Sequence, residues 1–384
     1  MLQRFFRFLW RDIVGLVAGG AILLFGWHVW GSSDALLYDS GVRISSADAP
    51  PAEEPVEHIS TPKPLRAVYM SSWVAGTESV REPLLRFVEN SEVNAVMIDI
   101  KDYTGKISFP VENKIIDAVE ADERRIPDIR TLIKRLHEKN LYVIGRVSVF
   151  QDPYIARRVP EIAVKDSRGG IWKDKHGLNF VDPGAEYYWS YMVEIAREAE
   201  HVGFDEVNFD YIRYPSDCAL KYAIFPYAKG RERSVVLEDF FKYLRTNTRD
   251  LGIPISADVF GLTTYSTDDL GIGQILEKIV PYFDYVAPMV YPSHYAPGFE
   301  GYKNPAEHPY EIILISMKRG VERLKAINED PQKLRPWIQD FDLGAEYGAA
   351  EIFKQKQAIH DAGLDSWMSW DPANKYTKEA YKKQ

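Results

Sequence analysis

Eight short apolar runs, separated by longer stretches of helical character, constrain the fold of this 384-residue chain more than any other feature. Alternating strand and helix predicts parallel strands with crossover helices, and eight such units predict a closed (β/α)8 barrel, the TIM-barrel fold of the α/β class. An open doubly wound sheet is the main alternative, but no glycine-rich phosphate loop follows the first run. The eight runs are residues 66–73, 94–101, 141–149, 203–215, 254–261, 285–291, 335–341 and 366–372.

Between these runs, apolar residues recur with the period of an amphipathic helix. One stripe, behind Pro127, has its apolar residues at i, i+3, i+4 and i+7, and a second ends at Gly203, a typical helix terminator. We therefore predict helices over these stripes, which contain Ile129, Leu132, Ile133 and Leu136 in the first case and Tyr188, Met192, Ile195 and Ala199 in the second.

The fourth run carries the clearest functional signal. Val207, Phe209 and Tyr211 alternate with Asn208 and Asp210, so that one face of the strand is apolar and the other carries a carboxylate near its end. A buried carboxylate is costly unless it is paired or used in chemistry. Asp210 is thus either a catalytic group or a structural ion-pair partner, for example of Arg213 or Lys101.

In a barrel the aliphatic face of each strand packs on helices, so the opposite face points inward and, near the carboxyl end, into the active site. In the last two strands either Gln339 or Asp340, and either Trp370 or Asp371, could face inward. The earlier strands give a defined inward set, consisting of Tyr69, Ser71, Trp73, Met97, Asp99, Lys101, Ile144, Arg146, Ser148, Asn208, Asp210, Ser256, Asp258, Met289 and Tyr291.

This set suits glycoside hydrolysis, which needs one carboxylic acid and one carboxylate. We predict Asp210 as the nucleophile, or as the base if the enzyme inverts, and Asp258 as the acid, with a pKa raised by burial or by the charge on Asp210. Their corresponding depths on neighbouring strands favour the short separation of a retaining enzyme. Asp99, Asp340 and Asp371 are alternatives for the acid.

Other inward or loop residues are predicted to contact the substrate. Lys101 and Arg146 would support the charge on Asp210 or bind hydroxyl groups, and His294 would contact the substrate or only bond within its loop. Aromatic side chains at or after the strands could stack on sugar rings, although ordinary packing is the more common role of any one of them. These aromatic candidates are Trp73, Trp172, Tyr211, Tyr291, Tyr295, Trp337, Trp367 and Trp370. The substrate-binding set is Tyr69, Trp73, Asp99, Lys101, Arg146, Asn208, Arg213, Tyr291, His294, Gln339, Asp340, Trp370 and Asp371.

The amino-terminal part predicts attachment to a membrane. Residues 13–30 form a run of 18 residues without Asp, Glu, Lys or Arg, long enough to span a bilayer, and arginines precede it. The positive-inside rule keeps residues 1–12 in the cytoplasm and places residues 65–384 outside the cell membrane. A cleaved signal peptide is the alternative. Residues 31–64, rich in Pro and acidic residues, are predicted to be an extended linker.

Composition excludes several classes of function. A net charge of −9 argues against a nucleic-acid partner. The single cysteine, Cys218, allows no internal disulfide and no cysteine-based zinc site. The chain also lacks the common metalloprotease, phosphate-loop and serine-hydrolase motifs, so that we expect no cofactor and no metal.

Six stretches in order resemble a family of glycoside hydrolase-like TIM-barrel proteins of bacterial envelopes; these are residues 66–69, 94–102, 204–215, 256–261, 288–295 and 337–341. The resemblance implies a TIM barrel and a glycosidase activity by analogy of fold, with a catalytic carboxylate on the fourth strand at Asp210. The leading hypothesis is a membrane-tethered glycosidase acting on an extracytoplasmic polysaccharide. The competing hypothesis is a non-catalytic glycan-binding or envelope scaffold protein on the same barrel.

Overall fold

The computed structural model describes residues 57–216 and 220–383. Eight parallel strands close into a barrel in chain order, with the last strand pairing with the first, for example Trp367 opposite Arg66. The predicted barrel is confirmed, and each strand lies within its predicted run. Strands β1 to β8 span Arg66–Met70, Ala95–Lys101, Tyr142–Ser148, Glu206–Asp210, Ile255–Phe260, Tyr285–Met289, Trp337–Gln339 and Trp367–Trp370.

The described residues form ten α-helices, most of which pack around the barrel. A single turn of 3-10 helix, Lys378–Tyr381, follows β8 where a regular barrel would have its last helix. Helices α1 to α10 span Ser72–Gly76, Glu78–Glu89, Lys114–Asp117, Ile129–His137, Pro153–Arg158, Glu186–Val202, Arg233–Asn247, Leu276–Ile279, Pro309–Ala326 and Ala349–Asp361.

The apolar stripes recognised in the sequence face the strands. The α4 stripe is buried along its whole length, and the helix begins at Ile129, two residues after Pro127. Helix α6 ends at Val202 and is capped by Gly203, whose φ of 111° lies in the left-handed region that favours glycine. Both helix predictions are confirmed. Burial of these stripes against the outer face of the barrel forms the larger of two hydrophobic cores.

The second core fills the lower part of the barrel interior. Its buried side chains include small and aliphatic residues, such as Ala67 and Ile144, and aromatic residues, such as Trp337, which reaches the cavity above. Near the amino-terminal ends of the strands, which we call the floor of the barrel, Arg335 donates to Glu206 at 2.8 Å, and both side chains are buried. The interior is therefore a packed core at the floor and opens only toward the carboxyl ends of the strands.

The end of the predicted linker belongs to the folded unit. The Ile59 backbone N–H donates to the Asp205 carboxylate at 2.7 Å, and the hydroxyl groups of Thr61 and Tyr142 lie 3.1 Å apart. His58 lies 3.7 Å from Asp205, so that the folded unit includes residues before residue 65. Composition missed this because the contacts use backbone groups and short polar side chains, not a run of apolar residues.

The predicted membrane-spanning run at residues 13–30 and most of the linker lie outside the described residues. Within residues 57–216 and 220–383, no helix is long and apolar enough to cross a membrane.

Candidate active site

A cavity of about 440 Å³ opens at the carboxyl ends of the strands. Asp210 ends β4, Asp258 lies near the end of β5, and both side chains line this cavity. The parity of the two strands, read from the sequence, correctly placed both carboxylates inside the barrel. The other lining residues are Arg146, Tyr211, Arg213, Ser216, Phe260, Gly261, Leu262, Met289, Tyr291, His294, Tyr295, Trp337 and Trp370.

Asp210 is held by an ion pair and by its own backbone. Arg146 donates to Asp210 Oδ2 through Nη2 at 2.5 Å and through Nε at 3.1 Å. The other oxygen, Oδ1, accepts from the Tyr211 backbone N–H at 2.5 Å. Tyr211 has a φ of 53°, a left-handed conformation that costs energy for a residue other than glycine and is often found at functional sites. The strained turn after β4 thus fixes the orientation of the carboxylate.

Asp258 has a different environment. Its Oδ1 accepts from Trp337 Nε1 at 2.8 Å and from Asn208 Nδ2 at 3.0 Å, while Oδ2 lies 3.9 Å from Arg146 Nε. Burial, followed by the charge on Asp210, raises the pKa of Asp258 to about 8, against the opposing effect of Arg146 and the two donors. The predicted direction of the pKa is confirmed. At neutral pH this carboxyl group holds a proton and can act as a general acid.

Arg146 Nε limits the distance between the two carboxyl groups. It lies 3.1 Å from Asp210 Oδ2 and 3.9 Å from Asp258 Oδ2, so these two oxygens are separated by no more than about 7 Å. Retaining glycosidases have carboxyl groups about 5 Å apart, and inverting enzymes roughly 6.5 to 9.5 Å. The bound is compatible with a retaining arrangement and with the shortest inverting one.

Asp99 and Tyr69 support Arg146 from below the cavity. Arg146 Nη1 donates to Asp99 Oδ1 at 2.7 Å, and the Tyr69 hydroxyl donates to Asp99 Oδ2 at 2.6 Å. Burial raises the pKa of Asp99, although Arg146 opposes this effect. The Tyr69 ring stacks on Trp370 at 4.0 Å between centroids. Asp99 and Tyr69 therefore position the guanidinium group, while Trp370 presents its ring to the cavity.

Lys101 is not in the site. The pairing of β2 with β3 shifts by one residue between Asp99 and Lys101, a bulge that turns Lys101 away from the barrel interior. The buried ammonium group instead lies 2.9 Å from Asp152 and donates to the Ser148 carbonyl at 2.5 Å. The prediction that Lys101 supports the charge on Asp210 is therefore wrong. Arg146 pairs with Asp210 instead.

Trp73 is also misplaced by the sequence reading. Strand β1 ends at Met70, and Ser71 caps helix α1, so that parity no longer applies at Trp73. Its side chain is 56% exposed and lies against the guanidinium group of Arg125 at 4.6 Å. Trp73 does not line the cavity.

The ambiguity in β7 and β8 is resolved by the two tryptophans that face inward, Trp337 and Trp370. Gln339 shares the parity of Trp337 but lies under the loop after β6, where it accepts from the Ser293 hydroxyl at 2.8 Å. Asp340 and Asp371 lie outside the cavity, so neither is a candidate for the acid.

Asp340 and Asp371 instead stabilise the chain that follows β8. Asp340 accepts from Tyr381 and Thr377, and burial raises the pKa of Asp340 to about 6. Asp371 accepts from the backbone N–H of Ala373 at 2.7 Å. Both carboxyl groups stabilise this segment, and neither lines the cavity.

Arg213, Tyr291 and His294 line the cavity, as predicted. The Arg213 guanidinium lies over the rings of Tyr211, at 5.1 Å, and Phe260, at 4.7 Å, and donates to the Tyr214 carbonyl. Asp210 forms its ion pair with Arg146. It does not pair with Arg213 or Lys101, the two partners that the sequence suggested for a structural ion pair.

The sequence reading missed two kinds of contact. Trp337 was expected at most to stack on a sugar, yet it donates to Asp258 across the barrel, and its inward parity was the available signal. Ser216 and Leu262 come from the segments after β4 and β5, for which strand parity gives no signal. Tyr295, one of the aromatic residues predicted to stack on a sugar, does line the cavity. Among the other aromatic candidates, Trp172 and Trp367 are buried in ordinary packing.

A comparison with known protein families identifies the family of this chain. Residues 67–376 match the family described as "Putative glycosyl hydrolase domain". The chain belongs to this family. The resemblance inferred from the six sequence stretches is thereby confirmed. A search of curated proteins finds no match.

Two solved structures share the fold over most of this chain, and a third is similar in sequence over part of it. The glycoside hydrolase domain of PgaB (BpsB) from Bordetella bronchiseptica is 14% identical, with a TM-score of 0.57 over 84% of this chain and 99% of that chain. The α-galactosidase TtGalA from Thermus thermophilus, in complex with stachyose, is 15% identical, with a TM-score of 0.51 over 83% of this chain and 63% of that one. A hypothetical protein from Ruminiclostridium thermocellum is 32% identical over 53% of this chain and 98% of its own, with a TM-score of 0.46.

Proposed function

We propose that the protein is a glycoside hydrolase that cleaves a polysaccharide with Asp210 and Asp258. The observation that carries this proposal is that two carboxyl groups in different electrostatic environments line one cavity. Asp258 holds a proton at neutral pH, and Asp210 is paired with a cation. Paired carboxyl groups whose surroundings separate their protonation states are the usual arrangement for an acid and its partner.

The mechanism that fits best is retaining. Asp258 donates its proton to the leaving glycosidic oxygen while Asp210 attacks the anomeric carbon and forms a glycosyl-enzyme ester. Asp258, now ionised, takes a proton from water, which attacks the ester and releases Asp210. Arg146 makes both of its bonds to Oδ2, so attack falls to Oδ1, which accepts from the Tyr211 N–H and keeps a second lone pair. The ring of Trp370 at the cavity wall offers a stacking surface for a sugar.

We further propose that residues 13–30 anchor the protein in the cell membrane, with a cytoplasmic amino terminus and an extracytoplasmic barrel. The support is the length of the uncharged run and the arginines before it. The substrate would then be a polysaccharide outside the cytoplasm. Membrane fractionation tests the anchor, and protease added to intact spheroplasts tests the side: the barrel should sediment with membranes and be digested from outside.

One observation favours a second candidate, a non-catalytic glycan-binding protein. Asp210 is only 5% exposed and is bonded through both oxygens, as expected of a structural ion pair. In this case the cavity binds a sugar without cleaving it.

Release of reducing ends from a panel of bacterial and plant polysaccharides separates the two candidates. The full-length parent is compared with Asp210→Asn and with Asp371→Asn, a control carboxyl group outside the cavity. Hydrolysis that falls by orders of magnitude only in Asp210→Asn supports the enzyme. Glycan binding by all three proteins without cleavage would replace the hydrolase with the binding protein. For an active parent, proton NMR of the first product decides between retention and inversion.

A further inference from the structure

The hydrogen bonds around Asp258 distinguish its two oxygens. Oδ1 accepts from two donors, the indole N–H of Trp337 and the side-chain amide of Asn208. An indole N–H can only donate. A proton on Oδ1 would therefore meet a donor that has no lone pair to receive it. Oδ2, which lies 3.9 Å from Arg146 Nε, accepts no such bond from these two residues.

Both donors are fixed before a substrate arrives. Trp337 is 1% exposed and Asn208 is fully buried, so that neither can turn toward solvent. Asn208 also bonds to the Ser256 hydroxyl at 3.1 Å, which ties it to the strand that carries Asp258. Trp337 comes from β7, two strands away from β5, and reaches across the barrel interior to Oδ1. Such a rigid supporting shell is what orients a reactive group.

We propose that Trp337 and Asn208 are positioning residues that confine the proton of Asp258 to Oδ2, the oxygen that delivers it to the leaving group. This inference rests on the proposed function, in which Asp258 is the acid. It assigns a different role to each oxygen of Asp258: Oδ1 accepts the two hydrogen bonds, and Oδ2 carries the proton. The same two bonds favour the ionised form of Asp258, so they also set the pH above which the acid is lost.

The other charged and titratable groups around Asp258 are held constant by the choice of variant. Asp210 on β4, Arg146 on β3 and Tyr291 after β6 all interact electrostatically with Asp258. Replacing Trp337 with phenylalanine changes none of these and retains an aromatic ring. The substitution removes a single donor.

The test measures the carboxyl carbon of Asp258 by ¹³C NMR titration in the full-length protein, with the signal assigned by its loss in Asp258→Asn. In Trp337→Phe the Asp258 pKa should rise by about 1 pH unit, since one hydrogen bond to the charged form is lost. In an active enzyme the alkaline limb of kcat/KM should move upward by the same amount, and kcat should fall because Oδ1 now competes for the proton. Trp367→Phe, the same change at a buried tryptophan outside the cavity, should move neither.

Asn208→Leu removes the other donor and should raise the pKa in the same direction, which keeps the inference testable if Trp337→Phe fails to fold. An unchanged or lower pKa in folded Trp337→Phe would overturn the inference, whether or not the parent is active. If the pKa rises but the parent cleaves no glycan, the role of the two donors at Oδ1 stands and the proposed hydrolase falls. The two failures are thus distinguishable.

Discussion

Replacing Asp258 with asparagine is expected to abolish hydrolysis and, at the same time, to stabilise the fold at alkaline pH. Burial and the nearby charge of Asp210 raise the pKa of Asp258 to about 8 in the folded protein, against an ordinary value of 3.8. Between these two pH values the folded state holds a proton that the unfolded chain has released. The stability of the parent therefore falls as pH rises from about 4 to about 8.

The pKa gap sets the scale of the effect. A difference of about four pKa units, at about 1.4 kcal/mol for each, gives an upper bound of roughly 5 to 6 kcal/mol lost from the unfolding free energy by pH 8. Asparagine resembles the protonated acid in shape and carries no charge, so it avoids this loss. We expect the unfolding free energy of Asp258→Asn, relative to the parent, to rise by about 2 to 4 kcal/mol between pH 5 and pH 8.5, below the bound because neighbouring groups relax around the charge.

Urea denaturation of the parent and the variant at the two pH values measures this change. Asp205→Asn is a comparison in which the substitution should lower the unfolding free energy at both pH values rather than raise it. Burial raises the Asp205 pKa, but hydrogen bonds from His137, His58 and the Val143 backbone outweigh burial and lower it overall. Asp205→Asn should therefore destabilise the fold, and more at pH 5, where His58 is charged, than at pH 8.5. If Asp258→Asn gains nothing relative to the parent between pH 5 and pH 8.5, Asp258 is already ionised at neutral pH and cannot be the acid.

Three further outcomes are expected. Arg146→Met should lower the unfolding free energy at pH 7 by about 3 to 5 kcal/mol, because buried carboxylates lose their cation. Denaturant titration should show a smaller loss at pH 5. An equal loss at both pH values would contradict the idea that Arg146 stabilises the fold through its charge. Trp370→Ala should raise KM roughly tenfold, because it removes a stacking surface for the sugar. Trp73→Ala should change kcat and KM by less than about twofold. Equal effects of the two substitutions would contradict the conclusion that Trp370 lines the cavity and Trp73 does not. A chain that starts at residue 65 should melt at a lower temperature than one that starts at residue 56, since the hydrogen bond from Ile59 to Asp205 is lost. Equal melting temperatures would show that the contacts at the floor do not contribute to stability.

The barrel could be predicted from the sequence because its signals are local. Each strand carries its own apolar alternation, and parity along a regular strand placed Asp210, Asp258 and Arg146 inside. Parity failed where regularity ended: at the bulge before Lys101, and after Met70, where the chain enters a helix and carries Trp73 outward.

The finer parts of the site depend on contacts between distant strands. The bond from Trp337 to Asp258 joins residues 79 positions apart, and only the closed barrel brings them together. Strands β7 and β8 have three and four residues, too few for alternation to show which of Gln339 or Asp340, and of Trp370 or Asp371, faces inward. The geometry of the turn at Tyr211 likewise follows from tertiary packing and not from propensity.

The contacts of His58, Ile59 and Thr61 fix the end of the barrel at which the described chain begins. These residues join the unit at the floor, beside Asp205, whereas Asp210 faces the cavity about 17 Å further along the same strand. A bead, fusion partner or surface coupled upstream of residue 57 is thus joined on the side away from the opening. A long polymer can therefore reach the cavity at the end of the barrel opposite to the contacts of Ile59.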